Sequence, residues 1–356
     1  MARIGIFGGT FNPIHSGHIG VALRAAAEYG LDRVLVVPAA QNPFKTGCGA
    51  NTLRWTLVKF ACAPHKVLEP WDYELSKGGR SYSIDTVRAV KELNPDAELF
   101  FIVGEDNFPD VSRWKDSDEL SRLVTFIPFS RTAESSTEVR RRLAGGEPIG
   151  DLVPQAVADF LEAKAVVFDF GGVISVSPWT DDWPLLGYCK SLGLSRELFR
   201  RGWDRYRAKW DGGECSFEDM YGMIFADAGL PRPSPEQIER LWELDALSWI
   251  RELSPDTLAL MRDLKSAGKK IGVLSNMSAD FHERLFVPRC AEYRKLLDAE
   301  VISGMVRMFK PEKRIYDLAA ARLGLNPEDI LFLDDTEANV LAARKCGWRS
   351  HVYRAE

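Results

Sequence analysis

The stretch Gly8-Gly9-Thr10-Phe11-Asn12-Pro13-Ile14-His15-Ser16-Gly17-His18 decides how this chain is read. It follows Ile4-Gly5-Ile6-Phe7, a short apolar run that suits a buried parallel strand, and leads into Ile19 to Tyr29, an alanine-rich segment with helical spacing. Strand, glycine turn and helix together point free backbone N–H groups at an anion. Gly8 and Gly9 let the backbone approach a phosphate with no side chain in the way. His15 and His18 stand three apart where the helix begins, so both imidazoles can face one polyphosphate and stabilise charge developing on a phosphoryl group. Two plainer readings compete. The pair can hold a metal, although no third Cys, His or carboxylate follows at ligand spacing, or it can cap the helix.

Length and composition set the frame. At 356 residues the chain suits two domains, and 46% hydrophobic with 27% charged residues is ordinary for a globular protein. A net charge of −5 argues against a partner bound through a broad basic surface, so no nucleic-acid polymer is expected. The six cysteines (Cys48, Cys62, Cys189, Cys215, Cys290, Cys346) are scattered without a C-x-x-C pair, which reads as free thiols in a reducing cytoplasm. No apolar run reaches the length of a membrane span, and the chain opens on a core strand, so neither a membrane nor a signal peptide is expected.

In chain order, Val34 to Pro38 reads as a second buried strand, Thr52 to Ala63 as a helix, and Val67 to Leu75 as extended, ending at the turn Lys77-Gly78-Gly79-Arg80. Ser81-Tyr82-Ser83-Ile84-Asp85-Thr86 opens another helix, with Ser83 or Asp85 as a candidate cap. Leu99 to Gly104 is a third buried strand, and Gly104-Glu105-Asp106-Asn107 puts polar groups at its carboxyl end, where doubly wound sheets bind ligands. After the strand Val124 to Phe129 comes Ser135-Ser136-Thr137-Glu138-Val139-Arg140. Its hydroxyls and Arg140, one helical turn on, form a second anion grip able to hold the β- and γ-phosphates of ATP; the same pattern also caps a helix.

The string from Gly8 to His18 resembles the signature of the H-x-G-H nucleotidyltransferase superfamily, and within it the nicotinate-mononucleotide adenylyltransferases. The resemblance implies transfer of AMP from ATP to a pyridine mononucleotide, with Mg²⁺ assisting. Gly8, Gly9, Thr10 and Phe11 then belong to the nucleotide loop, and His15 and His18 hold the phosphates. Lys45 in the loop after the second strand, with Ser136, Thr137 and Arg140, grips the triphosphate. Ser81, Tyr82 and Thr86 lie beside the acceptor mononucleotide, Gly104 and Asp106 contact the nucleotide, and Trp114 stacks on the pyridine ring. Only Ser130 to Glu134 separates the last strand from Ser135, shorter than the resembled enzymes carry, which leaves room for another phosphorylated acceptor.

A new buried strand starts at Ala165 with almost no linker. Phe168-Asp169-Phe170-Gly171-Gly172-Val173-Ile174 resembles the first motif of haloacid-dehalogenase-like hydrolases, in which the first Asp attacks a phosphomonoester through an aspartyl-phosphate. The other motifs follow in order. Ile271 to Asn276 ends a strand in a phosphate-binding Ser275 and Asn276, Lys310-Pro311 supplies a lysine, and Ile330 to Asp335 ends a strand in two acids. The resemblance implies a Mg²⁺ site of Asp169, the Gly171 carbonyl, Asp334 and Asp335. Gly171 stands where the family usually carries a second acid, so its general acid must come from elsewhere, or the domain only binds or scaffolds. Residues 176–265 read as a mostly helical cap, rich in tryptophan, with Trp179 and Trp183 near the nucleophile loop and the basic run Arg196 to Arg207 as a solvated face.

These readings combine into an α/β chain of two doubly wound parallel-sheet domains, 1–164 and 165–356, the second with a helical cap inserted after its first motif. The expected ligands are ATP and a pyridine mononucleotide in the first and a small phosphomonoester in the second. A homo-oligomer remains open.

Overall fold

The computed structural model describes residues 1–41, 49–130, 132–176 and 183–355. Lys45, Cys48 and Trp179 lie outside them. The chain divides into two compact units, Met1–Glu162 and Ala163–Glu356.

The first unit runs β1 (Arg3–Gly9), α1 (Ser16–Glu28), β2 (Arg33–Pro38), α2 (Asn51–Cys62), β3 (Leu68–Pro70), α3 (Tyr73–Lys77), α4 (Ser83–Leu93), β4 (Glu98–Gly104), α5 (Ser117–Leu123), β5 (Thr125–Phe129), α6 (Ser136–Gly145) and α7 (Gln155–Glu162). Its sheet is parallel throughout, in the order β3-β2-β1-β4-β5. The apolar runs are unbroken because helices cover both faces of such a sheet. Ile4, Ile6, Leu35, Val37, Leu99, Phe101 and Val103 bury one face against Ile84, Val87 and Val90 of α4. Parallel register aligns the strand ends Gly9 with Pro38 and Gly104 with Phe129, so the loops after β1, β4 and β5 leave from one edge.

One expectation fails locally. Val67 to Leu75 is extended only over β3, and Tyr73–Lys77 forms a single helical turn. Pro70 has no N–H for a further ladder bond, and the Ser76 hydroxyl donates to Asp72 at the start of that turn, at 2.5 Å.

The second unit runs β6 (Ala165–Phe168), α8 (Pro184–Ser191), α9 (Arg196–Asp211), α10 (Phe217–Asp227), α11 (Pro235–Ile250), α12 (Pro255–Ser266), β7 (Lys270–Ser275), β8 (Ala299–Ile302), helix Lys313–Leu323, β9 (Ile330–Asp334), helix Glu337–Lys345 and β10 (Arg349–Val352), with short helical turns between β7 and β8 and after β8. Its parallel sheet has the order β10-β9-β6-β7-β8. Serines start α9 to α12: Ser195, Ser216, Ser234 and Ser254 each accept from the backbone N–H three residues on, and Pro235 and Pro255 sit at first-turn positions.

The helical insertion ends earlier than expected. Val176 N–H donates to the Glu252 carbonyl and Ser254 N–H to the Ile174 carbonyl, so the chain re-enters the sheet unit near residue 253. Helix α12 then packs on β7. Trp183 is not at a site mouth: it is buried edge-on against Phe199 and Trp203. Nor is the basic run wholly solvated, since Arg207 lies between Trp203 and Trp210 with its guanidinium 4.4 and 4.5 Å from their ring centres.

Candidate active sites

In the first unit the loop between β1 and α1 is fixed from several sides. Phe11 takes φ 45°, a region that few residues other than glycine adopt, and its ring packs edge-on against Phe7 and His18. Phe11 is 2% exposed, so its side chain is part of the packing that shapes the loop. A Cβ on Gly9 would meet the Phe11 ring at 2.7 Å, and one on Gly17 would meet the Thr132 hydroxyl at 1.9 Å. Both glycines are therefore steric requirements.

His15 and His18 lie with ring centres 3.6 Å apart. The His15 backbone N–H donates to Nδ1 of His18 at 3.2 Å. That bond assigns the His18 proton to Nε2, leaving a neutral ring that donates from its far nitrogen. Burial lowers the His15 imidazole to about 4, opposed by the nearby Glu134 carboxylate. The helix-capping reading of the pair is thus borne out at the start of α1, where His18 accepts from the His15 N–H.

The second grip comes to the same loop. Ser136 donates to the Pro13 carbonyl at 2.9 Å, and Arg140 donates to the Asn12 carbonyl and to the Thr137 hydroxyl, the latter at 3.2 Å. Ser135 accepts from Glu138 N–H at 3.1 Å, so the capping reading holds there too.

Arg54 is a residue the sequence reading passed over. Almost fully buried, it donates to the carbonyls of Thr10 (2.6 Å) and Ala39 (2.7 Å) and to Asn51 Oδ1 (2.7 Å), tying the loop to the end of β2. An arginine on the apolar stripe of α2 was the available signal.

Around the Ser81 motif the backbone N–H of Ala40 donates to the Ser81 hydroxyl at 3.0 Å. Thr86 is 1% exposed and donates to Glu74 at 2.6 Å, so its hydroxyl is engaged inside the unit. Burial raises the Glu74 carboxyl above its usual range, opposed by the Thr86 and Ser81 hydroxyls. A recess about the size of one water molecule, bounded by Glu74, Arg80, Ser81, Tyr82 and Thr86, lies here. Helix α4 begins after Tyr82 with no side-chain cap, and Asp85 instead pairs with Lys77 and Lys115. Trp114 is half-buried, edge-on to Phe101, and Asp106 is exposed beyond Gly104.

In the second unit Asp169, Ser275 and Asp334 all stand at the carboxyl ends of parallel strands. Lys310 Nζ lies 2.9 Å from Asp169 Oδ1 and 2.6 Å from Asp334 Oδ2, with its side chain 1% exposed. Asn276 fixes the lysine: its amide donates to the Lys310 carbonyl at 3.0 Å and accepts from the Lys310 N–H at 2.8 Å. Thr336 N–H and Asn339 hold Asp334 in turn. Gly172 has φ 71°, and a Cβ there would strike Asp335 Oδ2 at 2.4 Å.

Asp169, Asp334 and Asp335 bring one oxygen each within 4.8 Å of one another. Three carboxylates face a single ammonium, and burial together with that crowding lifts Asp169 to about 7 despite Lys310. An all-oxygen, over-negative donor set is what a hard divalent cation compensates.

Comparison with known proteins follows the same division. Residues 6–164 match the cytidylyltransferase-like family and residues 163–347 the haloacid dehalogenase-like hydrolases. A protein of Shouchella clausii named "Probable nicotinate-nucleotide adenylyltransferase" is 37% identical over 189 residues, covering 48% of this chain and 98% of that protein. One of the same name from Thermus thermophilus is 36% identical, covering 45% of this chain and 96% of its own length. The crystal structure of a haloacid dehalogenase family enzyme of Bacteroides thetaiotaomicron superposes with a TM-score of 0.43 at 20% identity, over 54% of this chain and 94% of that one. By these matches the chain is a homologue of the nicotinate-nucleotide adenylyltransferases in its first unit and belongs to the haloacid dehalogenase-like hydrolases through its second.

Proposed function

We propose that the first unit transfers AMP from ATP to nicotinate mononucleotide, releasing pyrophosphate, and that the second hydrolyses a phosphomonoester. The convergence of Ser136 and Arg140 on the histidine loop supports the first assignment, because it joins two anion grips from distant sequence into one cradle.

Transfer needs no covalent intermediate. The acceptor phosphate attacks the α-phosphorus in line, so the protein positions the reactants and neutralises charge. His18, protonated at Nε2, and neutral His15 donate to the reacting phosphates. Arg140, Ser136, Thr137 and Lys45 hold the departing pyrophosphate. Ser81 and Tyr82 face the acceptor while buried Thr86, bound to Glu74, holds their segment in place rather than touching it; Trp114 offers a ring for stacking, and Asp106 and Gly104 bound the nucleotide. Pyrophosphate release tests this with ATP and Mg²⁺ against nicotinate mononucleotide, nicotinamide mononucleotide and no acceptor. Preference for the nicotinate form is expected, and His18→Ala should lower the rate at least 10²-fold; unchanged rates in that variant would reject the role.

In the second unit Asp169 attacks phosphorus, Ser275, Asn276 and Lys310 steady the phosphoryl oxygens, and water releases phosphate from the aspartyl intermediate. Asp169, the Gly171 carbonyl, Asp334 and Asp335 would hold Mg²⁺, which lowers the charge repulsion between nucleophile and phosphate. The triangle of Asp169, Lys310 and Asp334 supports this reading. Hydrolysis that survives Asp169→Asn would refute it. We place both reactions in a reducing cytoplasm, in keeping with free thiols at Cys62, Cys189, Cys215, Cys290 and Cys346.

A further inference from the structure

Phosphoester cleavage is eased when an acid protonates the departing oxygen, and that assistance is worth about 10²–10⁴-fold. Among the described residues, the four that follow Asp169 offer none. Phe170 and Val173 are buried in the core, and Gly171 and Gly172 have no side chains. At position 171 a side chain would press on an indole ring. A Cβ on Gly171 would lie 3.1 Å from Cζ3 and 3.6 Å from Cε3 of Trp249, in the last turn of α11.

Trp249 is held in place by buried charge. Its indole N–H donates to Asp245 Oδ1 at 3.2 Å. Asp245 pairs with Arg207 at 3.2 Å, and Arg207 also pairs with Asp211 at 2.9 Å while lying over Trp203 and Trp210. Among the described residues, the acids clustered with Asp169 are Asp334 and Asp335. Asp334 is occupied by Lys310, Thr336 and Asn339, and Asp335 accepts from the Thr336 hydroxyl.

We propose that Trp249 fills the place of the leaving-group acid and thereby confines the second unit to phosphate compounds whose leaving group departs unprotonated: aryl, acyl or anomeric phosphates and phosphoanhydrides, not simple alkyl esters. This rests on the hydrolase reading. In the first step the Asp169 Oδ–P bond forms as the P–O bond to the leaving group breaks, and the electron pair departs on that oxygen. The oxyanion takes a proton from solvent water afterwards. A second water attacks phosphorus, the Asp169 carboxylate is regenerated, and inorganic phosphate leaves with the surplus proton lost to solvent.

The test is kcat/KM of the full chain with Mg²⁺ for 4-nitrophenyl, phenyl and ethyl phosphate. A fall of about 10²–10⁴-fold from the first to the last is expected. Trp249→Ala keeps that steep dependence, and Gly171→Asp in the Trp249→Ala background flattens it by restoring ethyl phosphate turnover. Equal turnover of the three esters by the native chain would overturn the proposal. So would a flat series abolished by Asp181→Asn or Asp182→Asn, which would show that an acid acts after all. If the double variant does not fold, the native series alone decides. Absence of hydrolysis of every ester, with Asp169→Asn indistinguishable from the native chain, would instead remove the hydrolase reading and the proposal with it.

Discussion

His15 shows how burial sets both chemistry and stability at one residue. Its imidazole titrates near 6.5 in an unfolded chain and near 4 in the fold. Between those values the unfolded state carries a proton that the folded state lacks, so stability is full above pH 6.5 and is lost as the pH falls toward 4. The loss is on the order of 2–3 kcal/mol, and urea midpoints measured from pH 7 to 4 should drop more steeply for the native chain than for His15→Gln. Pyrophosphate release should show no His15 step between pH 6 and 8, because the ring is neutral throughout. Arg54 makes the complementary case. Arg54→Met removes the hydrogen bonds to the Thr10 and Ala39 carbonyls and to Asn51, costs roughly 2–4 kcal/mol and raises KM for ATP by loosening the Thr10 carbonyl, which titration of this variant and the native chain with ATP would reveal. The histidines and Asp169 were legible because each sits in a contiguous string whose local geometry is dictated by glycines. Arg54, Glu74 and Trp249 were not, since their roles arise from partners far along the chain, and periodicity reports a face without naming what lies against it.

At the scale of elements, α1 and α9 carry the clearest consequences. Helix α1 starts at Ser16 against a wall that includes Thr132, so Gly17→Ala forces its Cβ to within 1.9 Å of that hydroxyl. Shifting either the helix start or the 132 segment displaces His18, and pyrophosphate release should fall at least tenfold while phosphate release persists. In α9, Arg207 is the cation between Asp211 and Asp245. Arg207→Met leaves two buried carboxylates without it, a cost of about 3–5 kcal/mol that urea unfolding of the second unit would register. The strands were readable as continuous apolar runs because parallel sheets are covered on both faces. Helix α3 and the boundary of the insertion were not, since a single turn and a return crossing leave no periodic trace. The arginines of α9 looked solvated because charge dominates the run, although Trp203 four residues before Arg207 and Trp210 three after it were the signal for the enclosed guanidinium.

For the whole molecule, each site draws its described residues from one unit, so the two activities should be lost separately. Asp169→Asn should abolish phosphate release and leave pyrophosphate release within about twofold, and His18→Ala should do the reverse, as paired assays on the same preparations would show. Both sheets place the first strand of their unit in the middle, β1 between β2 and β4, β6 between β7 and β9. On the ribosome this arrangement has unequal effects. All five strands of the first sheet have been made by Phe129, whereas β6, already synthesised with its nucleophile, waits for β9 and the acid at residue 334. Translation therefore completes the two catalysts in series, and an interrupted chain can carry the transferase without the hydrolase but never the hydrolase without the transferase.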